Sequence, residues 1–175
     1  MNIEEYAWNN HEQKIKEKYG FSYSSPKIKI VDNIELRNQI EETLEKLPQK
    51  FLAKWALNVA LEHLDHLDQQ LVNDPRITLG IETLEKRING DIRAFDLRKV
   101  GFIVNELAKE STTEASKYAA RSFAQAVASG HMRGHAMVSS DYAVKLVNYI
   151  SNKSSVAAMA TKERERQLRI AEELL

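Results

Sequence analysis

The stretch QKFLAKWALNVALEHLDHLDQQL, residues 49–71, decides the fold. Its apolar residues recur every three or four positions, the period that places side chains on one face of an α-helix. They are Leu52, Trp55, Ala56, Val59, Ala60, Leu64, Leu67 and Leu71. Pro48 stands directly before the stretch, where a proline stops one helix or starts the next. The pattern therefore predicts a continuous helix over about 49–71 at the centre of a helical bundle.

Most of the remaining chain has the same helical character. The 175 residues contain only three prolines and six glycines, too few for an all-β domain with its frequent turns. Capping residues and apolar spacing predict helices over about 2–19, 33–47, 49–71, 75–89, 91–110, 112–130, 140–150 and 156–175. In residues 27–31, Ile28 and Ile30 alternate with lysines, which fits a short strand or a connecting arm. We expect an all-α bundle of about seven or eight helices.

The length suits a single domain over 1–175, divided into N-terminal helices and the arm (1–47), a central part (48–150) and a C-terminal helix (151–175). The chain has no cysteine, which excludes disulfides and thiolate zinc sites and suits a reducing cytoplasm. The polar first residues predict no signal peptide, and no apolar run approaches twenty residues, so we expect no membrane span. Lys plus Arg equals Asp plus Glu at 25 each, which argues against a nucleic-acid partner.

The stretch ASGHMRGHA, residues 128–136, is the most informative one for function. His131 and His135 are four residues apart, so on a continuous helix both imidazoles share one face. A glycine stands directly before each histidine. Because glycine costs helix stability, the pair indicates close backbone approach or a helix break beside the histidines. Such a pair of histidines can meet one ligand or one partner helix.

Five short segments carry a resemblance to a known family. They are Trp55-Ala56 on the central helix, the loop Asp74-Pro75-Arg76, the helix end Gly90-Asp91-Ile92, His131 to Ala136, and Tyr142-Ala143-Val144-Lys145. In this order and spacing, over about 48–150, the sequence resembles the immunity protein five-like family of bacterial immunity proteins, which are encoded beside polymorphic toxins. Val59 departs from that pattern, which usually has cysteine there, and the first forty residues have no counterpart in it.

The resemblance implies a protein that binds and neutralises a cognate protein toxin inside the producing cell, without catalysis and without a cofactor. It can be carried over to individual residues only as pattern positions. These positions are Trp55, Glu62, His63, Arg76, His131, His135 and Tyr142. Exposed arginines and aromatic residues are the expected anchors of a toxin interface.

A metal-binding helical enzyme or sensor is the alternative function. On a helix that continues to residue 71, His63 belongs to the apolar stripe, and His131 and His135 packed against it would complete a histidine-carboxylate site with Glu62 or Asp65. The competing interpretation is that these imidazoles hydrogen-bond across helix junctions as structural pins, without metal. The chain has no His-Glu-x-x-His, Gly-x-Ser-x-Gly or phosphate-binding glycine loop, so nothing in it favours another enzyme class.

The last third of the chain contains two helical patterns with opposite character. An alanine-rich segment over 115–128 predicts a tightly packed helix, or alternatively a groove that accepts part of a partner. The C-terminal helix has a thin apolar stripe interrupted by Lys162-Glu163-Arg164-Glu165-Arg166. Such alternating charge predicts a water-facing surface and a helix docked by its ends. The alternative function of this helix is to form a homodimer.

Overall fold

The structure is a computed structural model that describes residues 1–175. It contains nine α-helices, one short 3₁₀ turn at Leu64–His66, and no strand, which confirms the all-α prediction. The helices are α1 Ile3–Tyr6, α2 Asn10–Tyr19, α3 Ile34–Glu45, α4 Gln49–Leu61, α5 Pro75–Ile88, α6 Ala94–Glu110, α7 Glu114–Ala128, α8 His135–Ile150 and α9 Val156–Glu172.

Several helix ends lie where the sequence places them. The Asp74 side chain accepts a hydrogen bond from the Arg76 backbone N–H, and Pro75 is the first helical residue of α5. The Asn33 side chain caps α3 through the Leu36 N–H. Gly90 follows α5 with a φ of +81°, a conformation that side chains disfavour. These signals are local, so they can be read from a few neighbouring residues.

The prediction of one helix over 49–71 is wrong, because α4 ends at Leu61. The chain then turns toward the start of α7, where Asp68 holds it. The Asp68 carboxylate accepts hydrogen bonds of 2.6 Å from the Thr112 N–H and from the Thr113 hydroxyl. Leu67 remains buried even though it is no longer helical. A contact between distant parts of the chain therefore overrides the local helical spacing.

Two other boundary predictions need correction, and for residues 27–31 the structure shows the connecting arm instead of the short strand. The first helix divides into α1 and α2, because residues 7–9 leave the helical conformation to cap the second piece. Residues 27–31 form no strand and lie as an irregular arm, where Asn148 hydrogen-bonds both the N–H and the carbonyl of Val31. Helix α8 begins at His135 rather than at Ser139 or Ser140. Residues 135–139 already bury Ala136 and Met137, which favours helix there.

The core surrounds α4, α7 and α8. Trp55 and Phe123 are fully buried within it, and the largest element interface joins α7 to α8. The alanines of α7 allow this close packing: Ala119, Ala120 and Ala126 have no exposed surface. The prediction of a tightly packed alanine-rich helix is therefore confirmed. Its other face meets α6, and the space between α6 and α7 forms part of the site described below.

No helix in the structure combines the length and the apolar character that crossing a bilayer requires.

Candidate functional site

The two histidines of the ASGHMRGHA stretch come together in the turn between α7 and α8. His131 lies within the turn and His135 is the first residue of α8, with their ring centroids 5.0 Å apart. The His135 Nδ1–H donates to the Gln125 side-chain oxygen at 2.6 Å, which leaves its Nε2 as an acceptor. His131 Nδ1 is buried and has no hydrogen-bond partner. The two histidines therefore do not share one continuous helix, and the rings meet across a helix break, one of the two alternatives that the glycines indicated.

Gly130 lies at this helix break in close contact with other helices. A Cβ at this position would lie 2.8 Å from Leu84 Cδ1 and 2.9 Å from both Leu97 methyl carbons. Only glycine lets the backbone approach these fully buried leucines so closely. The Gly130 carbonyl then accepts a hydrogen bond of 3.0 Å from Arg87 Nε. Close approach and a helix break, the two alternatives indicated by the glycines, therefore occur together.

Both histidines border a groove of about 280 Å³ between α6 and α7. We call it the basic groove and define it by Arg98, Gly101, Phe102, Arg121, His131 and His135. None of its eleven lining residues is acidic. Arg98 and Arg121 form no ion pair. The groove therefore combines unpaired positive charge with hydrogen-bonding side chains.

The surroundings of the histidines disfavour their protonated forms. Burial lowers the pKa of His131 to about 4, with further contributions from His135, Arg98 and Arg87. Burial also lowers the pKa of His135, and the nearby Lys27 acts in the same direction. Both imidazoles are therefore neutral near pH 7. A bound anion would act in the opposite direction, because it would stabilise their protonated forms.

The outer face of α6 continues the groove as an exposed apolar and cationic surface. Phe102 is 68% exposed, Phe95 is 57% exposed and Ile103 is 45% exposed. The ammonium group of Lys99 lies 4.4 Å from the centroid of the Phe95 ring. Exposed aromatic side chains beside cations are the residue types that contribute most to protein interfaces.

His63 does not join the other two histidines, so the structure corrects the proposed His63, His131 and His135 metal triad. Because α4 ends at Leu61, His63 lies beyond the helix and contacts α9, where its Nε2 is 3.2 Å from Glu163 Oε1. No group of three or more histidine, aspartate or glutamate side chains has a geometry that could hold a metal ion. His63 instead makes a polar contact across a helix junction.

The Glu163 carboxylate is the centre of that junction. Burial raises its pKa, but hydrogen bonds from His63 and Arg166 outweigh this effect and lower the pKa to about 2. Arg166 Nη2 donates to Glu163 at 2.7 Å, and Gln167 Nε2 donates to the same carboxylate at 2.9 Å. Each of these side chains therefore has a defined partner within the chain.

The remaining residues of the family resemblance lie outside the histidine pair, and two of them make contacts that link helices. The Trp55 indole N–H donates to the backbone carbonyl of Gln167 at 2.8 Å and links α4 to α9. Arg76 pairs with Asp74 and Glu110, which ties the start of α5 to the end of α6 and raises the pKa of the guanidinium. Glu62 is exposed without a polar partner, and Tyr142 is partly buried on α8.

A buried charged network that the sequence pattern did not predict lies beside Glu163. Arg164 is fully buried, and its Nη2 contacts both Asp32 and Asp141 at 2.7 Å. Arg37 contacts Asp141 from α3 at 3.0 Å. The prediction that residues 162–166 face water is therefore wrong for Glu163 and Arg164. The missed signal is spacing: Ala160, Glu163, Arg164, Gln167 and Ala171 form one helical face, and all five are buried.

The family description that matches this chain is Imm-5 like putative immunity protein, and the match covers residues 42–173. The chain therefore belongs to this family, which confirms the resemblance carried by Trp55, Arg76 and the histidine pair. The matched region extends beyond the 48–150 of the resemblance and includes α9 with its buried charges. No curated protein and no solved structure matches the chain.

Proposed function

We propose that the protein binds a cognate toxin inside the bacterial cell that makes both proteins and neutralises it without turnover. Family membership over residues 42–173 is the observation that carries this proposal. The protein acts in the cytoplasm, uses no cofactor, and blocks the toxin by covering the surface that the toxin needs. Its function therefore depends on a complementary interface and not on a reaction centre.

Two features of the structure support a binding role. Glu163, Arg164 and Gln167, the buried polar side chains of α9, have partners within the chain, so this part of the fold is fixed before a partner binds. The α6 face offers exposed Phe95 and Phe102 beside unpaired cations, which are suitable anchors for an interface. The metal-dependent alternative lacks comparable support, because its three histidines lie in two separate places.

Co-expression with the genes adjacent to this one tests the proposal. We expect the protein to rescue cells from the product of one neighbouring gene and to copurify with that product, at roughly nanomolar affinity or tighter. Absence of both rescue and binding for every adjacent gene product would contradict the proposal. A variant with Lys162→Glu and Arg169→Glu should rescue cells and copurify as the wild type does. These are two exposed positions on α9 that form no ion pair.

The stoichiometry of inhibition separates occlusion from catalysis. Adding the purified protein to a fixed amount of toxin should reduce the toxin's activity linearly, to zero at one equivalent. An enzyme that modifies or degrades the toxin would instead abolish activity at far less than one equivalent and would continue to do so with time. The second result would overturn the non-catalytic part of the proposal.

A further inference from the structure

We propose that the basic groove is the docking site for an acidic segment of the partner protein, with Arg98 and Arg121 pairing with its carboxylates. This inference rests on the proposed function and adds to it the surface of the interaction and the chemistry of the partner. Three observations carry it: unpaired arginines, a helix glycine without a structural cause, and an exposed aromatic ring at the rim.

Arginine pairing distinguishes the groove from the rest of the molecule. The chain has ten arginines, and five of them form ion pairs with acidic side chains. Two others, Arg87 and Arg133, donate to backbone carbonyls. Arg98, Arg121 and Arg169 remain without such partners, and the first two flank the same acid-free groove. A partner protein with carboxylates would supply the acidic groups that these two arginines lack within the chain.

Gly101 is the second observation. It lies in the middle of α6, where glycine costs helix stability relative to alanine. A Cβ at Gly130 would lie under 3 Å from packed side chains and one at Gly80 would lie 3.0 Å from Phe123 and Val104, but a Cβ at Gly101 would have nothing within 4 Å. Packing within this chain therefore does not require glycine there. Gly101 lines the groove, and its lack of a side chain keeps that wall open for another molecule.

The remaining lining groups define the chemistry of the segment. Arginine guanidinium groups bind carboxylates in a planar, two-bond geometry. His131 and the amide side chains of Asn105 and Gln125 add hydrogen-bonding groups, and the 68% exposed Phe102 ring adds apolar surface. A segment with two or more aspartates or glutamates beside an apolar residue matches this set.

A protein segment fits these features better than a nucleic acid. Binding along a phosphate backbone uses several cations spread along the strand, commonly on a chain with an overall excess of positive charge. Here the arginines converge on one groove of about 280 Å³, and the chain has a net charge of zero. RNA binding is therefore an outcome that the experiment must be able to detect, and we expect not to see it.

The first experiment tests the groove without the toxin. A synthetic peptide of alternating glutamate and phenylalanine, and a single-stranded RNA of similar charge, are titrated into the ¹⁵N-labelled protein and followed by NMR. We expect the peptide to shift the His131 and His135 imidazole signals and the Gly101 amide, and the RNA to leave them in place. In the variant with Arg98→Glu and Arg121→Glu, peptide affinity should fall about tenfold or more. The Lys162→Glu, Arg169→Glu control should bind as the wild type does.

The outcomes of this titration are decisive. Peptide shifts located elsewhere, or equal affinity in the groove variant and the control, would overturn the inference. Shifts of the groove signals by RNA with higher affinity than the peptide would overturn it in favour of a nucleic-acid site. Because both variants change the net charge equally, a general charge effect cannot imitate the expected result.

The second experiment uses the toxin identified by co-expression. Gly101→Trp places a bulky side chain in the groove without changing charge, and its Cβ would meet nothing within 4 Å. We expect it to weaken toxin binding at least tenfold while the circular dichroism spectrum stays that of the folded protein and the melting temperature does not fall. If the wild type binds the toxin and both groove variants bind it equally well, the groove inference fails and the proposed function stands. If the wild type neither binds nor rescues, the proposed function fails.

Discussion

Arginine is paired with acidic side chains in the buried network of α9 and is unpaired in the basic groove. In α9, Arg164 has no exposed surface and contacts two aspartates at 2.7 Å. In the groove, Arg98 and Arg121 line a space without any acidic residue. The same guanidinium group thus links helices in one region and remains unpaired at the surface in the other.

This difference indicates which charges serve the fold and which serve a partner. A buried arginine must be paired, because removing its charge from water is costly without compensating contacts. A partly exposed arginine keeps its hydration and needs no partner to be tolerated. In α9, Arg164 finds its acidic partners within the chain, whereas the groove arginines would find theirs in another protein. Removing side chains from the two regions should therefore have very different effects on stability.

The largest effect is expected from Arg164→Ala. The change leaves Asp32 and Asp141 buried without their shared cation, which should reduce the free energy of unfolding by about 3–5 kcal/mol. Urea denaturation at pH 7 measures it. The matched control is Arg98→Ala in the groove, for which we expect a change within about 0.5 kcal/mol. Similar losses of unfolding free energy in the two variants would contradict the distinction between the two regions.

A smaller loss is expected from Gly130→Ala, in the turn that carries the groove histidines. The new methyl group would lie under 3 Å from Leu84 and Leu97, and both leucines are fully buried and cannot move aside freely. Overpacking of this kind should cost about 1–3 kcal/mol. Thermal denaturation measures it, and a shift in the His131 and His135 signals should accompany it. An unchanged melting temperature would show that the turn is looser than these distances indicate.

Local signals made much of the fold predictable. Asp74 with Pro75, Asn33 and Gly90 define helix ends through contacts with residues nearby in the chain. The end of α4 was not predictable in this way. Its sequence keeps helical spacing to Leu71, and the chain leaves the helix because Asp68 contacts Thr112, which lies 44 positions away. Local spacing cannot report such a contact.

The candidate site was predictable only in part. The glycines beside His131 and His135 indicated close approach or a break, and both occur. The partner of His63 was not predictable, because Glu163 is 100 positions away and lies in a stretch whose alternating charges are typical of a solvated helix. The burial and pairing of Arg164 were not predictable for the same reason, since its partner Asp32 lies 132 positions away. The groove itself depends on how α6 and α7 pack, which no single segment encodes.

Acid should affect the groove region before it affects the α9 network. Because the pKa of His131 falls from 6.5 to about 4 on folding, the unfolded chain binds a proton that the folded protein does not between these pH values. This contribution to stability is complete above pH 6.5 and is lost as the pH falls toward 4. The carboxyl of Glu163, whose pKa falls to about 2, loses its contribution only below about pH 4.5.

Comparison with His131→Gln isolates this effect. Between pH 7 and pH 5 the wild type should lose about 1 kcal/mol more stability than the variant, a value reduced for the partial contact of the ring with water. The charges that face the pair from neighbouring elements, Arg87, Arg98 and Lys27, remain present in both proteins. Urea denaturation at the two pH values measures the difference. Equal losses would mean that His131 is protonated as readily in the folded protein as in the unfolded chain.

The smallest effect, and the only increase in stability, is expected from Gly101→Ala. A methyl group at this position meets nothing within 4 Å and replaces glycine in the middle of α6, so it should stabilise the protein by about 0.5–1 kcal/mol. Denaturant unfolding against the wild type measures it, and Gly130→Ala provides the opposite sign at a glycine that packing requires. A destabilised Gly101→Ala would mean that α6 needs glycine for its own structure. The expected increase would leave the open groove, and the partner that enters it, as the remaining reason for this glycine.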